Sequence, residues 1–225
     1  MTEATDTTDA HFHETLRALL VWDTELPAFD PDTAPDQPLP LFRAWFVDAA
    51  NAGQREPHTM TLATVDEAGR PDVRTLMLHG ADERGWHFAS HTTSAKGRQL
   101  AARPDAALGF YWPVRGRQVR VRGRVSVGTP AEAYADLHAR STGALAAALV
   151  GHQSEPLGSL DELAGASRSA WEHARADPGA HADTWALYVL DPREVEFFQG
   201  DELRRHVRLR YRRTENGWTR ELLWP

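Results

Sequence analysis

The sequence predicts an antiparallel α+β fold, a mainly β sheet curling toward a small barrel with helices at its periphery. Three observations predict it. Apolar and polar residues alternate over short runs, the pattern of half-buried strands. Turn-forming Gly, Pro, Asn and Asp clusters separate those runs. The helical stretches do not alternate regularly with the strands, as a parallel βαβ sheet would require.

From Ala10 to Trp22 the apolar positions Phe12, Leu16, Leu19 and Leu20 fit a helical stripe, whereas residues 1–8 read as a disordered tip. A loop rich in Asp and Pro spans Leu26–Pro40, and Leu41–Ala52 reads as a second helix stopped by Gly53. Met60, Leu62 and Thr64 alternate with Thr59, Thr61 and Ala63, so this stretch is a strand. The turn signal of residues 66–71 and the run Asp72–His79 complete a hairpin. Trp86–Ser90 is a third strand. Ser94 caps a short helix that ends at Ala102, before Pro104.

Ala107–Trp112 and Arg117–Val127 are further strands. In the second, Val119, Val121 and Val125 face one way and Gln118, Arg120, Arg122 and Arg124 the other. Thr129-Pro130-Ala131-Glu132 is a capping box with proline at the first helical position, predicting a helix to about Arg140. Ser141–Pro156 is rich in Gly and Ala and carries no assignable period. Ser159 starts another helix that ends near Ala176. Thr184–Leu190, Glu194–Phe198, Leu209–Arg213 and Trp218–Leu223 read as strands, the last two joined by an Asn216-Gly217 turn.

Bulk properties narrow the function classes. The chain has 225 residues, 41% hydrophobic and 25% charged, which suits one sizeable soluble domain. Thirty-two acidic against 25 basic side chains give a net charge of −7, which argues against general nucleic-acid binding. With no cysteine, disulfides, thiolate chemistry and iron–sulfur clusters are excluded, and a reducing cytoplasm fits. No apolar run approaches the ~18 residues of a membrane helix, and the N-terminus lacks the basic and apolar regions of a signal peptide. No dinucleotide fingerprint, P-loop or nucleophile elbow is present, and the scattered histidines do not match a metal-ligand spacing.

Three groups of residues carry candidate chemistry. Arg74 lies in an apolar strand, and Lys96 lies in the first turn of the helix capped by Ser94. Backbone N–H groups plus a lysine at a helix start suit a phosphate, although first-turn lysines are commonly just solvated. Gln118, Gln153 and Ser154 are neutral polar groups able to hydrogen-bond a ring or a polyol, or equally to face water. The run 204–213 holds six arginines and His206, and reads either as an anion-binding face or as a solvated basic strand.

Together these pieces resemble the pyridoxamine-phosphate-oxidase family. The stretches that carry the resemblance are MTLATVDEAGRPDVRTLML (60–78), FASHTTSAKGRQLAARPDAALGFYW (88–112), RQVRVRGRV (117–125), HQS (152–154), VEFFQG (195–200) and HVRLRYRRTENGWTRELLWP (206–225). The resemblance implies a split β-barrel oxidase domain over 39–225, with a dimerisation region at about 180–225 and a flexible or helical extension over 1–38. It implies a homodimer with FMN at the interface, a small-molecule substrate and O2 as partners, and no nucleic acid, membrane or metal.

Carried over position by position, Arg74, Lys96 and Ser90 fall on the FMN phosphate, and Leu78, Gln118, Gln153 and Ser154 on further FMN positions. Arg208 and Phe198 lie beside the flavin ring, where Phe198 replaces the family's usual tryptophan. Ala95 replaces an arginine. Arg204 and His206 match the Arg-x-His over the substrate and are the catalytic candidates. The resemblance gives Arg204 the task of orienting the substrate. It makes His206 a proton acceptor or hydrogen-bond partner, imidazole being the side chain that exchanges a proton near neutral pH.

The substrate side departs from the family. Its phosphate grip of Lys, Tyr, Arg and Ser is here His79, Asp136, Arg140 and Ala144. Each lost charge-assisted hydrogen bond costs about 1.5–3 kcal/mol. The phenazine-biosynthesis oxidases look similar, sharing Arg55-Glu56-Pro57 and Leu62-Ala63-Thr64 and lacking the substrate-phosphate lysine. The resemblance therefore implies FMN-dependent dehydrogenation of a small amine or reduced ring. The alternatives are oxidation of pyridoxine or pyridoxamine 5'-phosphate, or a non-catalytic flavin-binding dimer.

Overall fold

A computed structural model describes residues 3–22 and 25–225, with side chains from Thr8 onward. Among these residues nine strands form one sheet in which every pairing is antiparallel. The strands are β1 (Thr59–Val65), β2 (Pro71–Met77), β3 (Gly80–Asp82), β4 (Gly85–His91), β5 (Asp105–Trp112), β6 (Arg117–Val127), β7 (Trp185–Gln199), β8 (Val207–Thr214) and β9 (Gly217–Leu223). The helices are α1 (Glu3–Ala18), α2 (Pro38–Asn51), α3 (Ala95–Ala102), α4 (Pro130–His138), α5 (Thr142–Val150) and α6 (Leu160–Ala176).

The path runs β2-β1-β5-β6-β7-β4-β3, and β7 also carries the β8–β9 hairpin. Strand β7 makes the split possible. It pairs with β6 through Tyr188–Gln199, with β4 through Trp185–Leu190, and with β8 through Glu194–Gln199. The register slips between Arg122 and Gly123, opposite Pro192, and the bulge accommodates a proline within the sheet. A Cβ on Gly123 would lie 1.9 Å from the Asp191 carbonyl oxygen, so only glycine permits this approach.

The alternation in β6 is realised residue by residue: Arg117, Val119, Val121, Gly123 and Val125 are buried and the residues between them exposed. The inner face packs Met60, Leu62, Trp86, Phe88, Leu108, Phe110, Val121, Leu190, Val195, Phe197 and Tyr211 into one core, closed by Phe42 and Trp45 of α2. Each such side chain contributes about 1.5–3 kcal/mol. A second, smaller cluster joins α4, α5 and α6 through Leu137, Leu145, Ala146, Ala148 and Ala174. The predicted capping box of α4 forms, with Thr129 and Glu132 satisfying each other's backbone N–H groups.

Three expectations need correction, and one unassigned stretch proves helical. The tip read as disordered is helical from Glu3; residues 1–2 lie outside the described residues. The stretch 141–156 contains α5. The strands read as 184–190 and 194–198 are one strand, continuous through the bulge. The strand read to His79 ends at Met77, and the short strand β3 follows it.

Candidate functional site

The first group of predicted residues converges on the start of α3. Ser94 caps this helix by accepting the Gly97 backbone N–H. A Cβ on Gly97 would lie 2.3 Å from the Thr92 carbonyl oxygen, so this glycine seats the first turn tightly on the end of β4. That close approach buries Lys96, which is 6% exposed. Its ammonium donates to Ser90 Oγ (2.9 Å), Gln153 Oε1 (2.8 Å) and Ser94 Oγ (3.4 Å). All three acceptors are neutral. Burial, and then the nearby Arg74 charge, push Lys96 down to about 8, with Asp72 opposing.

Arg74 reaches the same place from β2. It donates to Thr64 Oγ1 (2.5 Å), Gln99 Oε1 (3.0 Å) and Asp72 Oδ2 (2.6 Å). Gln153 and Ser154 arrive on the loop after α5, where Gly151, His152 and Ser154 all have positive φ, of 65°, 51° and 75°. That strained backbone, of order 1 kcal/mol or more per non-glycine residue, is held by Gln153 on Lys96 and by the Ala95 N–H donated to Ser154 Oγ at 3.2 Å. Arg74, Ser90, Lys96, Gln153 and Ser154 thus lie together at the start of α3.

The donor set fits the phosphate end of FMN. Two cations lie near one carboxylate, and the buried ammonium has no anionic hydrogen-bond partner among the described residues. A dianionic phosphate would supply what burial has removed.

The second group sits elsewhere. Gln118 pairs in register with Phe198, and Phe198 with Arg208, so the three line one row across β6, β7 and β8 on the face opposite the core. Glu196, 5% exposed on the same face, accepts from Arg208 Nε at 2.9 Å and pairs with Arg120. The arginines of β8 are not a bare basic face: Arg210 pairs with Glu221, Arg212 lies 3.5 Å from Glu194, and Arg213 pairs with Asp191. His206 packs against Phe198 (5.1 Å between centroids) and Trp22 (5.5 Å, edge-on). Arg204 is exposed and has φ 63°. The turn carrying both is built on Asp201, whose carboxylate accepts the Leu203 and Arg205 N–H groups. The Arg205 backbone N–H holds that carboxyl below the usual carboxylate range, with help from the Arg205 charge. Among the described residues no hydrogen bond, ion pair or ring contact joins this group to the Lys96 cluster.

The third group holds the family's departures. His79 Nδ1 lies 2.8 and 3.0 Å from the two carboxylate oxygens of Asp136, the side chains being 6% and 15% exposed. One turn earlier on α4, Glu132 pairs with Arg84, so α4 is latched onto the β3–β4 hairpin at two points. Arg140 lies exposed just past α4, and Leu78 is half-buried against the core. The Asp136 carboxylate therefore faces an imidazole. Sequence reading missed the residues that hold the named ones, namely Thr64, Gln99 and Asp72 around Arg74, Glu196 under Arg208, and Asp201 and Trp22 around His206. Only Asp201 had a local signal, an Asx-turn aspartate ahead of a short loop.

Residues 46–174 match the family model described as pyridoxamine 5'-phosphate oxidase, and residues 185–225 match that of the pyridoxine 5'-phosphate oxidase C-terminal dimerisation region. Over 195 residues the chain is 46% identical to the pyridoxine/pyridoxamine 5'-phosphate oxidase of Pseudomonas syringae pv. syringae (strain B728a), covering 85% of this chain and 90% of that protein. The corresponding protein of Pseudomonas fluorescens (strain SBW25) is 43% identical over 197 residues, with the same coverage. Among solved structures, PhzG from Burkholderia lata 383 in complex with tetrahydrophenazine-1-carboxylic acid superposes with a TM-score of 0.84 at 30% identity. The match covers 90% of this chain and all of that one. A pyridoxamine 5'-phosphate oxidase-related, FMN-binding protein from Nostoc punctiforme shares the fold, with a TM-score of 0.67 at 24% identity, covering 82% of this chain and 97% of that one. The chain belongs to the pyridoxamine 5'-phosphate oxidase family of FMN-dependent oxidoreductases, with the split-barrel fold and the C-terminal dimerisation region of that family.

Proposed function

We propose that this oxidase dehydrogenates a small amine or reduced ring that is not gripped as a phosphate monoester, in the manner of a phenazine-biosynthesis oxidase. The observation that carries this reading is the His79–Asp136 pair. Both residues stand where the resemblance places a cation and a phenol against the substrate phosphate. Here the imidazole is engaged by a carboxylate, which would repel a phosphate dianion. Only Arg140 of the four expected groups remains, and a single guanidinium suits a carboxylate.

The active unit is a cytoplasmic homodimer. Among the described residues no hydrogen bond, ion pair or ring contact joins the Lys96 cluster to the Gln118–Phe198–Arg208 row, and a two-fold partner would bring one copy's cluster to the other's row. Residues 39–225 form the oxidase domain, with about 180–225 at the dimer contact. Arg74, Ser90, Lys96, Gln153 and Ser154 hold the FMN phosphate; Leu78, Gln118, Phe198 and Arg208 lie along the rest of the cofactor.

When bound, FMN would supply a two-electron acceptor for a hydride from substrate carbon, with O2 as the final oxidant and hydrogen peroxide as the by-product. The chain orients the substrate. Arg140 holds its anionic group, Arg204 orients it, Phe198 keeps an apolar wall beside the flavin, and His206 contacts a substrate heteroatom. The substrate loses one proton besides the hydride, and solvent takes it.

Anaerobic titration of the FMN-loaded protein tests the reading. Tetrahydrophenazine-1-carboxylic acid or pyridoxamine should bleach the flavin at least as readily as pyridoxamine 5'-phosphate. A second reading, oxidation of pyridoxine or pyridoxamine 5'-phosphate, is favoured by the curated relatives at 43–46% identity. It holds if micromolar pyridoxamine 5'-phosphate alone reduces the flavin.

A further inference from the structure

The turn between β7 and β8 fixes more than the position of His206. The Asp201 backbone N–H is donated to His206 Nδ1 at 3.1 Å. A backbone N–H can only donate, so Nδ1 must present its lone pair, and in the neutral ring the proton sits on Nε2. The ring is also held laterally, between Phe198 at 5.1 Å and Trp22 at 5.5 Å. Nε2 is the ring nitrogen left without a partner among the described residues.

Asp201 shapes this arrangement twice. Its carboxylate ties down the Leu203 and Arg205 N–H groups at 2.9 and 3.1 Å, and its carbonyl accepts the Arg204 N–H at 3.0 Å. Those bonds offset the left-handed backbone of Arg204, and they orient the N–H that meets His206.

We propose that Asp201 is a positioning residue that locks His206 as an Nε2–H donor, so that His206 serves the reaction by donating a hydrogen bond and not by accepting the substrate proton. To take up a proton the ring would have to release Asp201, since two N–H donors would then face each other. The inference rests on the proposed placement of Arg204 and His206 over the substrate. It narrows the two roles that placement left open for His206. The acceptor it serves is a substrate oxygen or ring nitrogen that gains electron density as the hydride leaves, or a flavin carbonyl.

Long-range 1H–15N correlation spectra of the FMN-loaded protein test the lock directly, with the His206 signals assigned by their loss in His206→Gln. The expected pattern is that of the Nε2–H ring; an Nδ1–H ring or a mixture of tautomers overturns the proposal. Turnover supplies the second readout. The amide nitrogen of His206→Gln reaches the place of Nε2, and that of His206→Asn reaches only the place of Nδ1. Deleting a preorganised donor costs about 10²–10³ in kcat. The Asn variant should therefore lose about that much, and the Gln variant at least tenfold less; equal losses overturn the donor role. Asp201→Ala should blur the tautomer and lower kcat more than Asp201→Asn does, at equal flavin content. An unaltered tautomer in Asp201→Ala removes Asp201 from the account. The spectra need no substrate. An Nε2–H ring in a protein that oxidises only pyridoxamine 5'-phosphate would thus sink the substrate reading and leave this one standing.

Discussion

Lys96 is the only lysine in the chain, so its protonation can be both perturbed and observed without interference. Burial and the Arg74 charge lower its ammonium from 10.5 to about 8, while Asp72 works the other way and His91 faces the same charge. A depression of this size corresponds to about 3 kcal/mol. The sign follows from proton counting. Between about pH 8 and 10.5 the unfolded chain holds a proton that the folded apoprotein has released. Stability of the apoprotein should therefore rise with pH across that window, and the full cost of a charged Lys96 is felt below it. FMN phosphate reverses the balance, because it binds the charged form. Apparent affinity scales with the protonated fraction of the apo site, so the Kd for FMN should increase about tenfold from pH 7 to pH 9. Replacing Lys96→Met should cost about one to two decades of affinity at pH 7 and flatten the pH profile. Fluorescence quenching of FMN gives the Kd, and the single resonance of ε-13C-lysine gives the titration itself. A pH-independent Kd in the wild type, or an apo Lys96 that titrates near its ordinary value, would refute the reasoning.

Three further outcomes follow from the geometry. Changing His79→Lys together with Asp136→Tyr removes the carboxylate and restores two donors. At about 1.5–3 kcal/mol each, the KM for pyridoxamine 5'-phosphate should fall tenfold or more in steady-state peroxide assays. Gly123→Ala places a methyl 1.9 Å from the Asp191 carbonyl oxygen; backbone displacement of this kind costs about 1–3 kcal/mol, seen as a Tm lower by several degrees in calorimetry. Glu196→Gln leaves Arg208 and Arg120 without their buried carboxylate. The flavin absorbance maximum should shift, with little change in FMN content, and an unchanged spectrum would show that Arg208 does not face the ring.

Much of the sheet was legible because its signals are local. Alternation in β6, the hairpin turn at Asn216 (realised as Glu215-Asn216, with Gly217 already paired to Thr214) and the Thr129–Glu132 capping box each lie within a few residues. Helix α5 was not legible, because six of the nine residues of Thr142–Val150 are alanine or leucine and no polar face sets a period. The unity of β7 was hidden by Pro192, which reads as a break until the bulge opposite it is known. The site followed the same rule. Lys96 read as a candidate from its helix start, but its burial depends on Gly97 pressing against β4. The His79–Asp136 pair spans 57 positions in sequence, and nothing near either residue announces the other. Asp201 is close to His206, yet the bond between them runs through the backbone, which side-chain patterns do not record.

The substrate proposal rests on a carboxylate standing where a phosphate ester would need a hydrogen-bond donor. The ratio of kcat/KM for pyridoxamine 5'-phosphate to that for pyridoxamine, measured on the wild-type holoenzyme at neutral pH, weighs that claim alone. The account predicts a ratio near or below one. A preference for the phosphorylated amine of a hundredfold or more would contradict it.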